Sequence, residues 1–249
     1  MQLHSRVVAF RDLSHTHPGG PMSRHFLFLL GSSRPDGNTE LLARRAAEQL
    51  PAEVEQRWLS LAEHPLPDFV DLRRDSDHVH PAAGSNPALL LDATLAATDI
   101  VIASPLYWYS VSGLTKRYLD YWSGWLRTPD VDFKARMAGR ALWGVTALAH
   151  EEEEVADPLI GTLNHSAAYL GMRFGGVLLG NGSKPGDVLK DTAALAHAKT
   201  FFAREAPLAR YPYETHETHA TGDTQGAPTG RDTPGTPGTR DTQGMAAAR

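Results

Sequence analysis

Five short apolar runs, near residues 25–31, 54–61, 99–104, 140–147 and 173–179, alternate with stretches of helical spacing near 39–50, 87–97, 113–123, 153–170 and 187–204. Runs such as Phe26-Leu27-Phe28-Leu29-Leu30 and Ile100-Val101-Ile102-Ala103 are apolar without a break, the pattern of a strand covered on both faces. Parallel strands need crossovers, and crossovers of one hand lay helices on both sides of a sheet. The sequence therefore predicts a doubly wound α/β domain on a five-stranded parallel sheet. Val54-Glu55-Gln56-Arg57-Trp58 is the most polar run and belongs at an edge, in the order 2-1-3-4-5. Asn86-Pro87 and Pro185-Gly186-Asp187 supply helix starts, with Asn86 or Asp187 as cap. Residues 62–85, carrying Pro65, Pro67 and Pro81, are too long for a simple connection and read as a surface loop.

The first strand feeds Gly31-Ser32-Ser33-Arg34-Pro35-Asp36-Gly37-Asn38-Thr39 and then the helical pattern from Glu40. Free backbone N–H groups and the positive helix end converge in such a turn, which makes it an anion site. Arg34 can fork onto phosphate oxygens, Ser32 and Thr39 can donate hydroxyls, and Gly37 lets the backbone come close. No lysine follows Gly37, so this is not the loop of an ATPase, and two glycines are too few for the dinucleotide fingerprint. A monophosphate fits better. The bland reading is an ordinary turn with Asn38 as cap and Arg34 in solvent.

The third strand runs into Pro105-Leu106-Tyr107-Trp108-Tyr109-Ser110-Val111-Ser112-Gly113, with Ser112 and Gly113 capping the next helix. Loops at the carboxyl ends of parallel strands bind ligands, and three adjacent aromatic residues there suit a flat ring. They could instead cover the core.

Composition narrows the class. The chain has 249 residues, a formal net charge of −5 and no cysteine. The charge gives no electrostatic case for nucleic acid or an anionic membrane. No apolar stretch is long enough for a transmembrane helix, and the cytoplasm is the expected compartment. Without thiols, any redox chemistry must come from a bound cofactor. Residues 1–21 lack a clear period and are expected to be a disordered leader; residues 22–211 form one domain. Residues 212–249, with Asp-Thr-Gln-Gly and Asp-Thr-Pro-Gly near-repeats, are expected to be a disordered tail. His78-Val79-His80 and His216-Glu217-Thr218-His219 lack a third ligand, so no metal is expected. His165 and His197 read as ordinary helix residues.

Taken together, residues 31–39, residues 105–113 and the following Lys116 and Asp120 resemble the flavodoxin-like NAD(P)H-dependent FMN reductases and quinone reductases, with weaker echoes in Tyr169-Leu170-Gly171-Met172 and Gly180-Asn181-Gly182-Ser183. The resemblance spans residues 25 to about 204. It implies a flavodoxin-like fold, FMN as cofactor and NAD(P)H as co-substrate. It places phosphate contacts on Ser32, Ser33, Arg34, Gly37, Asn38 and Thr39, and ring contacts on Pro105, Leu106, Tyr107, Trp108, Tyr109 and Thr146. It also implies a homodimer whose interface is built partly from the helix of residues 113–123 and its extension: Tyr118, Trp122 and Trp125 recur there at helical spacing, a cluster that is either core or interface, and the resemblance favours interface. The chain departs from the pattern after Thr146: many relatives have a glycine-rich turn where this chain has Ala147-Leu148-Ala149-His150 and then Glu151-Glu152-Glu153-Glu154. Those carboxylates suit the positive start of a helix. His150 could face the flavin or the nicotinamide.

The activity implied is hydride transfer from NAD(P)H through FMN to a quinone, flavin or similar aromatic acceptor. The cofactor carries that chemistry, so no catalytic side chain is assigned. Two other classes stay in view. An electron-carrying flavodoxin would be strongly acidic and lack Arg34, and a phosphoacceptor domain would need carboxylates where Gly31-Ser32-Ser33-Arg34 stands.

Overall fold

The computed structural model describes residues 23–71 and 79–211. The expected leader and tail, and the histidines at 78, 216 and 219, lie outside the described residues. Five parallel strands, β1 (His25–Leu30), β2 (Glu55–Ser60), β3 (Asp99–Ala103), β4 (Ala141–Leu148) and β5 (Arg173–Asn181), form one sheet in the order β2-β1-β3-β4-β5. The polar strand is at the edge, as its sequence requires. Among the described residues six α-helices accompany them: α1 (Asn38–Ala47), α2 (Asn86–Ala96), α3 (Gly113–Trp125), α4 (Phe133–Met137), α5 (Asp157–Tyr169) and, after the last strand, α6 (Thr192–Ala198).

Successive strand residues face opposite cores. Phe26, Phe28, Val101, Ala103, Trp143 and Val145 pack with α1 and α6 on one face. Leu27, Leu29, Ile100, Ile102 and Leu142 pack with α2, α3, α4 and α5 on the other. Tyr118, Trp122 and Trp125 belong to this second core, with exposures of 0%, 5% and 2%. Their helical spacing therefore marks the chain's own interior, and the expectation that these rings form a dimer interface is corrected. Tyr118 meets both tryptophans edge-on, at 5.8 and 5.7 Å.

The ends of several elements differ from the expectation. Ser85, not Asn86, caps α2 by accepting from the Ala88 N–H. The last predicted helix is broken: a 3₁₀ turn at Asp187–Lys190 ends at Asp191, whose carboxylate caps the short α6 at the Ala194 N–H. The carboxylates before α5 are corrected too. Glu153 and Glu154 sit in a separate 3₁₀ turn, and α5 opens at Asp157.

At the amino end of the sheet, a buried carboxylate and a helix end are answered. Asp99, only 3% exposed, accepts from both arms of Arg24, from Thr98 Oγ1 at 2.8 Å and from Trp143 Nε1 at 2.9 Å. Arg140 closes the carboxyl end of α2 by donating to the carbonyls of Thr94, Leu95 and Ala97.

Candidate active site

The loops after β1, β3 and β4 leave neighbouring strands at their carboxyl ends. The loop after β1 is shaped by its own hydroxyl. Ser32 Oγ accepts from the Arg34 N–H and donates to the Arg34 carbonyl, both at 3.0 Å. Asp36 takes a φ of 53°, and its N–H donates to Glu40 at 3.1 Å while Arg44 holds the other oxygen of that carboxylate. Gly31 is required by close approach: a Cβ there would lie 2.0 Å from Thr115 Oγ1. Ser112 Oγ donates to the Gly31 carbonyl at 2.6 Å, so this loop rests on the start of α3.

The cradle itself is open. The first helical bond of α1 joins the Leu41 N–H to the Gly37 carbonyl at 2.9 Å, so the N–H groups of Asn38, Thr39 and Glu40 have no intrahelical acceptor. Gly37 has an ordinary φ of −69°, and a Cβ there would meet nothing closer than 3.7 Å. Nothing within the fold demands glycine at this position; its bare backbone suits an incoming group. Ser33 and Arg34 are exposed, and Arg34 makes no ion pair among the described residues. Thr39 is buried at 5% exposure.

Asn38 has a different task from the one expected of its side chain. Its Nδ2 donates to the carbonyls of Gly182 at 2.8 Å and Lys184 at 2.9 Å, and its Oδ1 accepts from the Gly186 N–H at 2.9 Å. Both amide donors are used, leaving only the backbone N–H to the cradle. The turn after β5 is thereby clamped to the anion loop. Gly182 permits it, since a Cβ would lie 2.6 Å from the Val188 nitrogen and 3.0 Å from Asn38 Nδ2.

The loop after β3 ends in a tight reversal. Tyr107 and Ser110 exchange N–H to carbonyl bonds at 3.0 and 3.1 Å, and the residues between them, Trp108 and Tyr109, have φ of 50° and 63°. Two successive positive φ values define a type I′ turn, which ordinarily takes Asn-Gly. Side chains of this bulk cost about 1–3 kcal/mol each there. The turn holds Trp108 93% exposed, with Tyr107 and Tyr109 at 54% and 52%. These rings do not cover the core. Pro105 and Leu106, just before them in the chain, are half-buried.

On β4, Thr146 is fully buried and its hydroxyl has no hydrogen-bond partner. His150 is exposed; its carbonyl accepts from Asn181 Nδ2 at 2.5 Å, which ties the third loop to β5. Between the first two loops opens a groove of about 340 Å³ lined by Gly31, Ser33, Tyr107, Gly113, Leu114 and Arg117. Sequence reasoning missed Arg117, which sits inside an amphipathic helix pattern and carries no motif of its own.

The residues present fit FMN. Three unpaired N–H groups, a serine, a threonine and an unpaired guanidinium surround a site with a bare glycine backbone, which suits a terminal monophosphate. The adjoining turn offers flat apolar surface for a ring.

Comparison with known proteins agrees. The model of the family described as NADPH-dependent FMN reductase matches residues 25–172. YwqN of Bacillus subtilis, whose name assigns it by inference an NAD(P)H-dependent, FMN-containing oxidoreductase activity, is 31% identical over 175 residues, covering 70% of this chain and 94% of its own. The structure of the Trp repressor binding protein of Bacillus subtilis superposes with a TM-score of 0.57 at 26% identity, covering 72% of this chain and 99% of that one. An FMN-dependent NADH-azoreductase of Bacillus anthracis, solved with FMN, shares the fold at a TM-score of 0.54 and 12% identity, over 74% and 100% of the two chains. The chain belongs to the NADPH-dependent FMN reductase family and is an FMN- and NAD(P)H-dependent oxidoreductase.

Proposed function

We propose that the chain oxidises NAD(P)H and reduces a quinone, a free flavin or a similar flat aromatic acceptor, with FMN, when bound, supplying the hydride-carrying chemistry. The observation that carries this reading is the open anion cradle at α1 beside a turn that holds three aromatic rings out of the core at energetic cost. Ser33, Arg34, Gly37 and Thr39, with the Asn38 N–H, bind the phosphate; Ser32 shapes their loop. Pro105, Leu106, Tyr107, Trp108 and Tyr109 border the ring, and Thr146 offers it a buried hydroxyl that has no partner among the described residues. The protein's contribution is orientation and exclusion of water, and no side chain acts as acid, base or nucleophile.

Residues 22–211 form the functional unit, which works in the cytoplasm as a homodimer. No helix among the described residues is long and apolar enough to cross a membrane. The dimer face runs along a groove of about 310 Å³ between α3 and α5, where Leu119, Leu126 and the 63% exposed Tyr169 present apolar surface. Acid extraction of the purified protein should release FMN and not FAD, and NAD(P)H should be consumed on addition of a quinone. FAD as the dominant flavin would contradict the phosphate assignment, and NAD(P)H consumption only through an added reductase would make the chain a carrier.

A further inference from the structure

The groove between the first two loops has a charged wall. Arg117, one turn into α3, is 39% exposed at its side chain; NH1 donates to the Leu66 carbonyl at 2.9 Å and NH2 pairs with Asp68 at 2.7 Å. A guanidinium has five N–H donors in a rigid fork, and these two contacts fix its plane while leaving others open. Asp68 is 91% exposed, so the pairing is weakly held against competition from another anion. Ser33, next in the chain to Arg34, lines the same groove, and Tyr107 brings the aromatic turn to it.

The far rim of the site has the opposite sign. Glu151, Glu152, Glu153 and Glu154 follow β4, are exposed, and make no ion pair among the described residues. A molecule carrying several phosphate charges is repelled at that rim and attracted at the rim holding Arg34 and Arg117. A hydride donor whose nicotinamide reaches the aromatic turn must lead its phosphates away along one side or the other.

We propose that Arg117 and its groove bind a phosphate of the nicotinamide dinucleotide, making Arg117 a specificity-determining residue for the hydride donor. This rests on the function proposed above and deepens it. The cation approaches the phosphate already oriented by Leu66 and Asp68, and Asp68 yields its place on the fork when the phosphate arrives.

The test is calorimetric binding of two unreactive probes, ADP-ribose and its 2′-phosphorylated form, to FMN-loaded protein. Arg117→Gln should weaken at least one probe roughly tenfold or more while the affinity for FMN is unchanged. Weakening of both assigns the contact to the diphosphate; weakening of only the 2′-phosphorylated probe assigns it to the 2′-phosphate and to NADPH preference. Asp68→Ala separates recognition from scaffolding. It removes the internal competitor, so the proposal predicts binding as tight as wild type or tighter, the reverse of Arg117→Gln. Equal probe affinity in wild type and Arg117→Gln, weakening by both variants alike, or no probe binding to FMN-loaded wild type would each overturn the proposal. FMN uptake is scored in its own titration, so failure of the flavin assignment is distinguishable from failure of this one.

Discussion

The two ends of the sheet handle polar groups in opposite ways. At the amino end, Asp99 is satisfied by Arg24, Thr98 and Trp143, and Arg140 closes α2 onto three carbonyls. At the carboxyl end, helix N–H groups lack acceptors, Trp108 and Tyr109 occupy left-handed backbone, and the Thr146 hydroxyl is buried alone. Unsatisfied groups and strain gathered at a loop cluster mark where a ligand can answer them; the buried indole N–H groups of Trp122 and Trp125, also without a partner among the described residues, lie instead in the core. The closed end supplies the stability that the open end spends.

The contrast is broken most severely by Asp99→Ala. It strands the Trp143 indole N–H and part of the Arg24 fork; with Arg24 36% exposed at its side chain, the cost should be about 3 kcal/mol. Melting should fall by roughly 6–12 °C, with FMN affinity retained. A variant that loses FMN affinity without losing stability would erase the division between the ends.

A second test of the closed interior is pH. Burial pushes the Tyr118 hydroxyl up to about 12, against a lowering by its hydrogen bond to Thr94. The folded state thus disfavours the phenolate, and the stability tied to the neutral form is intact below pH 10 and lost as pH rises toward 12. The loss should approach 2–3 kcal/mol. Tyr118→Phe should flatten this decline in denaturant titrations between pH 9 and 12; an unchanged slope would move the titration elsewhere.

Changes at the open end should behave in the reverse sense. Arg34→Ala should weaken FMN binding by about 1.5–3 kcal/mol, roughly ten- to a hundredfold, with native far-UV dichroism and melting. The smallest effect on stability belongs to Trp108. Being 93% exposed, it should cost under about 0.5 kcal/mol when truncated to alanine, yet the acceptor KM or the flavin spectrum should shift. Trp108→Gly should even stabilise, by up to about 1 kcal/mol, by relieving the positive φ. A large fall in melting temperature in either variant would return Trp108 to the core.

These regions also differ in how far they were legible from sequence. The strands were, because uninterrupted apolar runs leave a parallel sheet as nearly the sole solution. The five-residue α4 was too short to show a period, and Asp191 interrupts the last helical pattern with a cap that reads locally as one more polar residue. Both ligand loops were marked by the strands that feed them. The clamp from Asn38 was not: its partners are backbone groups 144 to 148 positions away, and a carbonyl or N–H has no letter in the sequence. The I′ turn was equally hidden, since Trp108-Tyr109 lacks the glycine that normally announces it. Where local rules failed, at this strained turn and at Arg117, the side chains face solvent or the groove between the first two loops.

The central claim is that the open cradle at α1 is built for a terminal monophosphate. Titrating the flavin-free protein with FMN and with riboflavin, which differ only in that phosphate, tests it most directly. The account predicts that riboflavin binds at least a hundredfold more weakly, about 3 kcal/mol, and that Arg34→Ala weakens FMN but leaves riboflavin unchanged. Equal affinity for the two flavins would contradict it.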